Sequence, residues 1–238
     1  MASQGLSRRS AYLSSRFRQP PLHWPASAGA VENPQMDTLC SRIIDDLAEQ
    51  GWSLQPAFIS ASLTMALAAE CHRRAAQGAL TPAGVGRGPF VAVNEGIRGD
   101  HIDWLEPGQS VACDQYLAHL EQLRMALNQA LFLGLEDVES HFALYPPGAF
   151  YRRHLDRFRD DDRRAVSAVL YLNPDWQAQQ GGALRLYLQD DAAHDILPVA
   201  GSLVVFLSAD IPHEVLPATR DRLSLTAWFR RRADNPLE

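Results

Sequence analysis

Cysteine is scarce in this chain: Cys40, Cys71 and Cys113 are the only three in 238 residues. An odd number without close spacing excludes a disulfide framework and a cysteine-rich zinc site. The expectation is three reduced thiols, partly buried on helices, in a reducing, cytoplasmic setting. Long apolar runs are missing too, so no segment is long enough to span a bilayer. Positive charge is not in excess. Twenty-two Lys and Arg against 28 Asp and Glu leave a net charge of −6, which gives no general affinity for nucleic acid or membrane surfaces. Acids are lacking from the first stretch, where Arg8, Arg9, Arg16 and Arg18 precede the first carboxylate, Glu32. That stretch is Arg-rich like a transit peptide but has no apolar centre of a secretory signal. Residues 1–35 are read as a disordered tail, with a transit peptide or an upstream start codon as the other readings.

What remains is the composition of a globular protein, 46% hydrophobic and 21% charged, and one domain over 36–238. Helical spacing runs through Met36–Gln50, with Leu39, Ile43, Ile44 and Leu47 on one face, and again through Ser60–Gln77 and Cys113–Leu131. Trp52–Phe58 reads as a short strand broken by Pro56, and Thr81–Phe90 as a Gly-rich connector. From His141 the texture changes to short apolar or alternating runs: His141–Tyr145, Phe150–His154, Ala165–Leu172, Ala183–Tyr187, Asp195–Pro198, Ser202–Leu207 and Leu223–Arg230. Helices first and strands second favour α+β, with helical support over 36–135 packed outside a β sandwich or barrel over 140–230. Asp160-Asp161-Asp162 reads as a solvated loop tip.

Among the strand-like runs stands His154-Leu155-Asp156, followed downstream by His213. Residues i and i+2 of a strand share a face, so His154 and Asp156 are expected to reach one ion, with Leu155 turned away. His213 is expected from another strand. Two imidazoles and a carboxylate that leave other positions open are the ligand set of non-haem Fe(II) oxygenases. Zinc on the same residues, activating water for hydrolysis, is the competing metal reading. Arg222 follows His213 by nine residues, placed to meet the far carboxylate of a bound dicarboxylate. Arg220 has the same strand parity and is its rival. Ser224, Thr226 and Trp228 share that face, so Trp228 is read as a candidate lining residue of the metal pocket.

Three stretches, Ile97-Arg98-Gly99-Asp100-His101-Ile102-Asp103-Trp104-Leu105-Glu106, Tyr171 to Trp176 with Gly181-Gly182, and Pro212 to Trp228, carry a resemblance. The chain resembles the 2-oxoglutarate and Fe(II)-dependent dioxygenases, and among them the prolyl hydroxylases of hypoxia-inducible factor and their bacterial relatives, over residues 37 to 230. The resemblance implies a double-stranded β-helix (jelly-roll) core. It implies Fe(II) on His154, Asp156 and His213, with 2-oxoglutarate held by Arg222, Tyr171, Tyr145 and Thr226. Dioxygen is the other cosubstrate and ascorbate a candidate reductant. Arg98, Trp104 and Trp228 fall at the substrate approach, Asp100 and Arg164 at positions that pair, and Trp176 in the scaffold. The implied reaction couples decarboxylation of 2-oxoglutarate to succinate with 4-hydroxylation of a proline. The implied partner is a protein or peptide with an exposed proline, such as a translation-factor loop. Leu170 departs from the family, which often has an aromatic residue there, and this touches the pocket wall. The same chemistry on a free amino acid or small molecule, and a silent binding module, are the alternatives.

Overall fold

The computed structural model describes residues 34–85, 92–94, 96–157, 161–188 and 192–232. Most of the expected tail, part of the Gly-rich connector and Asp160 lie outside them. Helix α1 (Pro34–Gln50) begins two residues before the expected start and buries Met36, Cys40, Ile43 and Leu47. That stripe is rotated slightly from the expected one, leaving Leu39 and Ile44 half-buried. Strand β1 (Trp52–Gln55) follows, then α2 (Ala61–Ala76), whose first turn is capped by the Ser60 hydroxyl accepting from the Leu63 N–H at 3.2 Å. Short strands β2 (Thr81–Pro82), β3 (Gly84–Val85), β4 (Ala92–Val93) and β5 (His101–Trp104) precede α3 (Val111–Leu131), capped in the same way by Ser110.

The β core then unfolds as β6 (Leu135–Tyr145), β7 (Tyr151–His154), β8 (Arg164–Tyr171), β9 (Leu184–Tyr187), β10 (Ala193–Ile196), β11 (Leu203–Leu207), β12 (His213–Val215) and β13 (Arg222–Arg231). Seven strands form one sheet in the order β1-β11-β8-β13-β6-β5-β2, and four form a second, β10-β9-β12-β7. Every pairing between the named strands is antiparallel. The two sheets make the jelly roll, and the three helices cover the outer face of the larger one.

Strand parity sorts the core into two clusters. Leu225, Ala227 and Phe229 of β13 join the helix-side cluster with Leu67, Leu120, Leu127 and Ile43. Ala143, Val169, Tyr171, Val204 and Phe206 face the other way and meet Leu184, Leu186, Ile196 and Val215 of the smaller sheet. The large sheet is therefore buried on both faces, which is why β11 and most of β8 are nearly continuous apolar runs. All three cysteines are buried on helices as free thiols. Burial pushes Cys40 up to about 11 and Cys71 up to about 12, so both stay as inert thiols. Among the described residues no helix is long and apolar enough to cross a membrane.

Candidate metal centre and anion pocket

His154 ends β7, and His213, the first residue of β12, stands directly opposite it in the ladder of the smaller sheet. The expectation for Asp156 needs correction. It lies beyond the end of β7, in a bend, so strand alternation does not bring it to His154. Leu155 does turn outward, 44% exposed. Asp156 is nonetheless 8% exposed, with Oδ1 3.5 Å from His154 Nε2 and Oδ2 3.6 Å from His213 Nε2.

The protonation pattern follows from the partners of the other ring nitrogens. His154 Nδ1 lies 2.7 Å from the Arg152 carbonyl, and His213 Nδ1 lies 3.2 Å from the Ile211 carbonyl. A carbonyl only accepts, so in the neutral ring each Nδ1 carries the proton and each Nε2 presents a lone pair. Burial lowers His213 to about 4 against the pull of Asp156, which keeps it neutral near pH 7. Burial alone would raise the Asp156 carboxyl, but His213, His154 and the Ser167 hydroxyl outweigh it and hold it well below the usual carboxylate range. Two lone pairs and a carboxylate thus converge, all acceptors, with ligand atoms within 4.8 Å of one another. A metal cation held among them would satisfy all three. Histidines that ligate metals typically donate their second N–H to a carbonyl in this way.

Across the same narrow cavity lies Arg222, 1% exposed. Its Nε donates to the Gly182 carbonyl at 2.8 Å and Nη1 to Ser224 Oγ at 3.4 Å. Neither Nη2 nor the Tyr171 hydroxyl has a partner of hydrogen-bond geometry. The guanidinium lies 5.2 Å from the Tyr145 ring centre and 5.1 Å from that of Tyr171. Burial pushes Tyr171 up to about 12, with Arg222 opposing, and raises Tyr145 as well. A buried cation with a spare donor and a neutral hydroxyl beside it fit the far carboxylate of a diacid. Arg220 is excluded from this position: it lies half-buried over Trp176, 5.0 Å from the ring centre. Gly182 is constrained by the same anchor. At φ +72°, an added Cβ would stand 2.9 Å from Trp176 and 3.4 Å from Arg222. Trp176 is scaffold, its Nε1 donating to the Gly181 carbonyl at 3.0 Å.

Thr226, Trp228, Arg98 and Tyr145 also line the cavity, so Arg222, Ser224, Thr226 and Trp228 do share one face of β13. Trp104 stands outside it, 41% exposed, its ring 6.2 Å from that of Trp228. The expected Asp100–Arg164 pair is replaced. Asp100 binds Arg98 through two hydrogen bonds of 2.6 and 2.9 Å, while Arg164 donates to Glu139 at 2.9 Å and stacks 3.5 Å over Trp228. The nearer arginine, two residues away on the same turn, wins Asp100.

Sequence reasoning missed several contributors. Tyr151 stacks on His154 at 3.6 Å, although the two are three residues apart. They meet because β7 carries three steps, from Tyr151 to His154, against two on β12, from Val215 to His213, a bulge that re-aims the ring. Val169, Leu184 and Val215 supply the apolar wall. A roomier groove of about 880 Å³ lies elsewhere, beside α1, α2 and α3, lined by Met36, Phe58 and Val111 and lacking any comparable cluster of ligating groups among the described residues.

Comparison with known proteins agrees with this geometry. Residues 140–230 match the 2OG-Fe(II) oxygenase superfamily. A stretch of 103 residues, 40% of the chain, is 34% identical to human Egl nine homolog 1 and spans 24% of that protein's length. The crystal structure of a Pseudomonas putida prolyl-4-hydroxylase superposes with a TM-score of 0.76 at 65% identity, covering 81% of this chain and 99% of that one. A Trichoplax adhaerens prolyl hydroxylase, in complex with a peptide fragment of the hypoxia-inducible factor oxygen degradation domain, gives 0.75 at 29% identity, covering 84% of this chain and 94% of that one. A buried acceptor triad, an unneutralised arginine facing it and these likenesses converge on one assignment: the chain belongs to the 2OG-Fe(II) oxygenase superfamily, in its prolyl hydroxylase family.

Proposed function

We propose that the protein is a prolyl 4-hydroxylase acting on an exposed proline of a protein or peptide, with His154, Asp156 and His213 holding Fe(II) and Arg222 and Tyr171 holding 2-oxoglutarate. The observation that carries this reading is one cavity in which three acceptors call for a cation and a buried arginine calls for an anion. Fe(II), 2-oxoglutarate and dioxygen are the cofactor and cosubstrates of this superfamily. Bound together, they supply the oxidising power that replaces a C–H bond by C–OH, while the keto acid leaves as succinate and carbon dioxide.

The chain's own residues bind and orient. The two imidazoles and Asp156 offer three ligands on one side and leave the other positions open. Arg222, fixed by the Gly182 carbonyl, presents its remaining donor to the far carboxylate, and the Tyr171 hydroxyl adds a second. Tyr145 and Thr226 complete that wall, and Val169, Leu184 and Val215 exclude water from it. Trp228, Trp104 and Arg98 lie at the outer end, where an extended peptide would enter. The proline substrate is supported by the Pseudomonas enzyme, matched over 99% of its length. A translation-factor loop is the target class we favour, and ascorbate the reductant that restores ferrous iron.

The test is to incubate the iron-loaded protein with 2-oxoglutarate and host lysate and to search by mass spectrometry for prolines that gain one oxygen. Gains that require 2-oxoglutarate support the proposal. Succinate release with a free amino acid, and no modified proline, would move the substrate to the small-molecule class. No succinate with any substrate would leave a binding module.

A further inference from the structure

Asp156 sits past the end of its strand, so something other than the ladder must aim its carboxylate. Ser167 of β8 donates to Asp156 Oδ2 at 2.6 Å, and Ser208, just after β11, lies 2.8 Å from the Ser167 hydroxyl. Both serines are fully buried. The direction of this chain is set by chemistry. An ionised carboxylate only accepts, so the single Ser167 proton points at Asp156, and Ser208 must donate to Ser167. Each bond polarises the next. Ser208 also grips the bend through its backbone, its carbonyl accepting from the Arg157 N–H at 3.3 Å, and its N–H donates to Ala165 at 3.1 Å. Two strands of the large sheet thereby reach across to a residue that follows a strand of the small one.

We infer that Ser167 and Ser208 form a hydroxyl relay that positions Asp156 as a one-oxygen metal ligand: the Ser167 bond engages Oδ2, which lies 3.6 Å from His213 Nε2, so that Oδ1, 3.5 Å from His154 Nε2, is the freer oxygen to coordinate. The relay explains why two hydroxyls occupy positions between apolar residues of a doubly buried sheet, where Val166, Phe206 and Leu207 are their neighbours in the chain and the ladder. An apolar residue would cost less there unless the hydroxyl had a partner to hold. Ser167 and Ser208 are positioning residues, acting through Asp156.

The inference rests on the proposed metal centre and not on the proline substrate. Its test uses the full chain and Mn(II), with binding followed by loss of the free Mn(II) electron paramagnetic resonance signal. Ser167→Ala is expected to weaken Mn(II) binding by about 10–100-fold, the usual effect of removing a group that orients a metal ligand. Ser208→Ala, which spares the direct bond to Asp156, is expected to weaken it by a smaller factor. Ser167→Thr, which keeps the hydroxyl, restores binding. The Co(II) absorption spectrum of Ser167→Ala is expected to differ from that of the parent, because a released Oδ2 adds a second carboxylate oxygen to the ion; a purely structural role would leave it unchanged. Equal Mn(II) affinity and an unchanged Co(II) spectrum in Ser167→Ala overturn the relay. Should that variant fail to fold, Ser208→Ala decides, and parental affinity there overturns it equally. A parent chain that binds no Mn(II) overturns both the metal centre and the relay, whereas tight Mn(II) binding without any proline oxidation leaves the relay standing and removes only the substrate.

Discussion

Arg222 shows how much one side chain can report. It is the largest fully buried side chain among the described residues, yet one of its nitrogens is unspent. A charge in that state is tolerated only if a ligand completes it. Lysine cannot reproduce the planar fork that bonds Gly182 and still offers a donor. Arg222→Lys is therefore expected to raise the KM for 2-oxoglutarate by about 10–150-fold, the range of a charged hydrogen bond of about 1.5–3 kcal/mol, while Mn(II) affinity stays near parental. Steady-state succinate assays and metal titration together check this split. Residues of this kind were legible because their chemistry and spacing are distinctive: two histidines and an aspartate at motif spacing, and an arginine nine residues after the second histidine. The serines that aim Asp156 were not. A buried serine in a strand is chemically quiet until its partner, 11 or 41 residues away, is known.

Among the elements, α2 and β5 are joined by a buried cation. Arg74, on α2, bonds Glu70 at 2.8 Å, Asp103 of β5 at 2.8 Å and Gln109 at 3.0 Å. β5 follows directly on the Arg98–Asp100 pair and carries Trp104, so the network ties the substrate side of the cavity to the helical layer. Glu70 is held down to about 2, first by Arg73, against a smaller cost of burial, and then by Arg74. The sign follows directly. Its folded pKa lies below the unfolded value of 4.5, so its stabilisation is complete above 4.5 and disappears as pH falls through about 2. Glu70→Gln is expected to lower the thermal midpoint at pH 7 and to make little difference near pH 2, which melts across that range check. The three helices were legible from their spacing. β12, three residues long, was not, and the first half of β6 was hidden by Glu136, Asp137 and Glu139. Asp137 and Glu139 find Arg230, and Glu139 also Arg164, on neighbouring strands. A strand edged with acids reads as a loop until its arginine partners are known.

As a whole, the molecule holds its site between two sheets of unequal size. His154 and His213 belong to the small sheet, Arg222 and Tyr171 to the large one, and Asp156 to the bend between them. A metal that ligates both histidines and Asp156 should therefore stabilise the entire fold. At one hundred times its dissociation constant, Mn(II) is expected to add about 2.7 kcal/mol, or roughly 5–10 °C in the thermal midpoint for a chain of this size. A chelator reverses the gain, and His213→Ala abolishes it, as differential scanning calorimetry can read. A β sandwich or barrel with helices outside it was foreseeable from helices followed by short strands, and the jelly roll from the family resemblance, but the register was not, because a bulge obeys no periodicity. The bulge on β7 has an electrical outcome as well. In a regular strand one of Arg152 and Arg153 would point inward; here both face out, Arg153 lying 3.8 Å over the Tyr187 ring. Two guanidinium groups thus stand on the outer side of the small sheet of an acidic protein. Charges placed there act on an anionic cosubstrate through long-range attraction alone, an effect that fades as ionic strength rises while the bound complex is untouched.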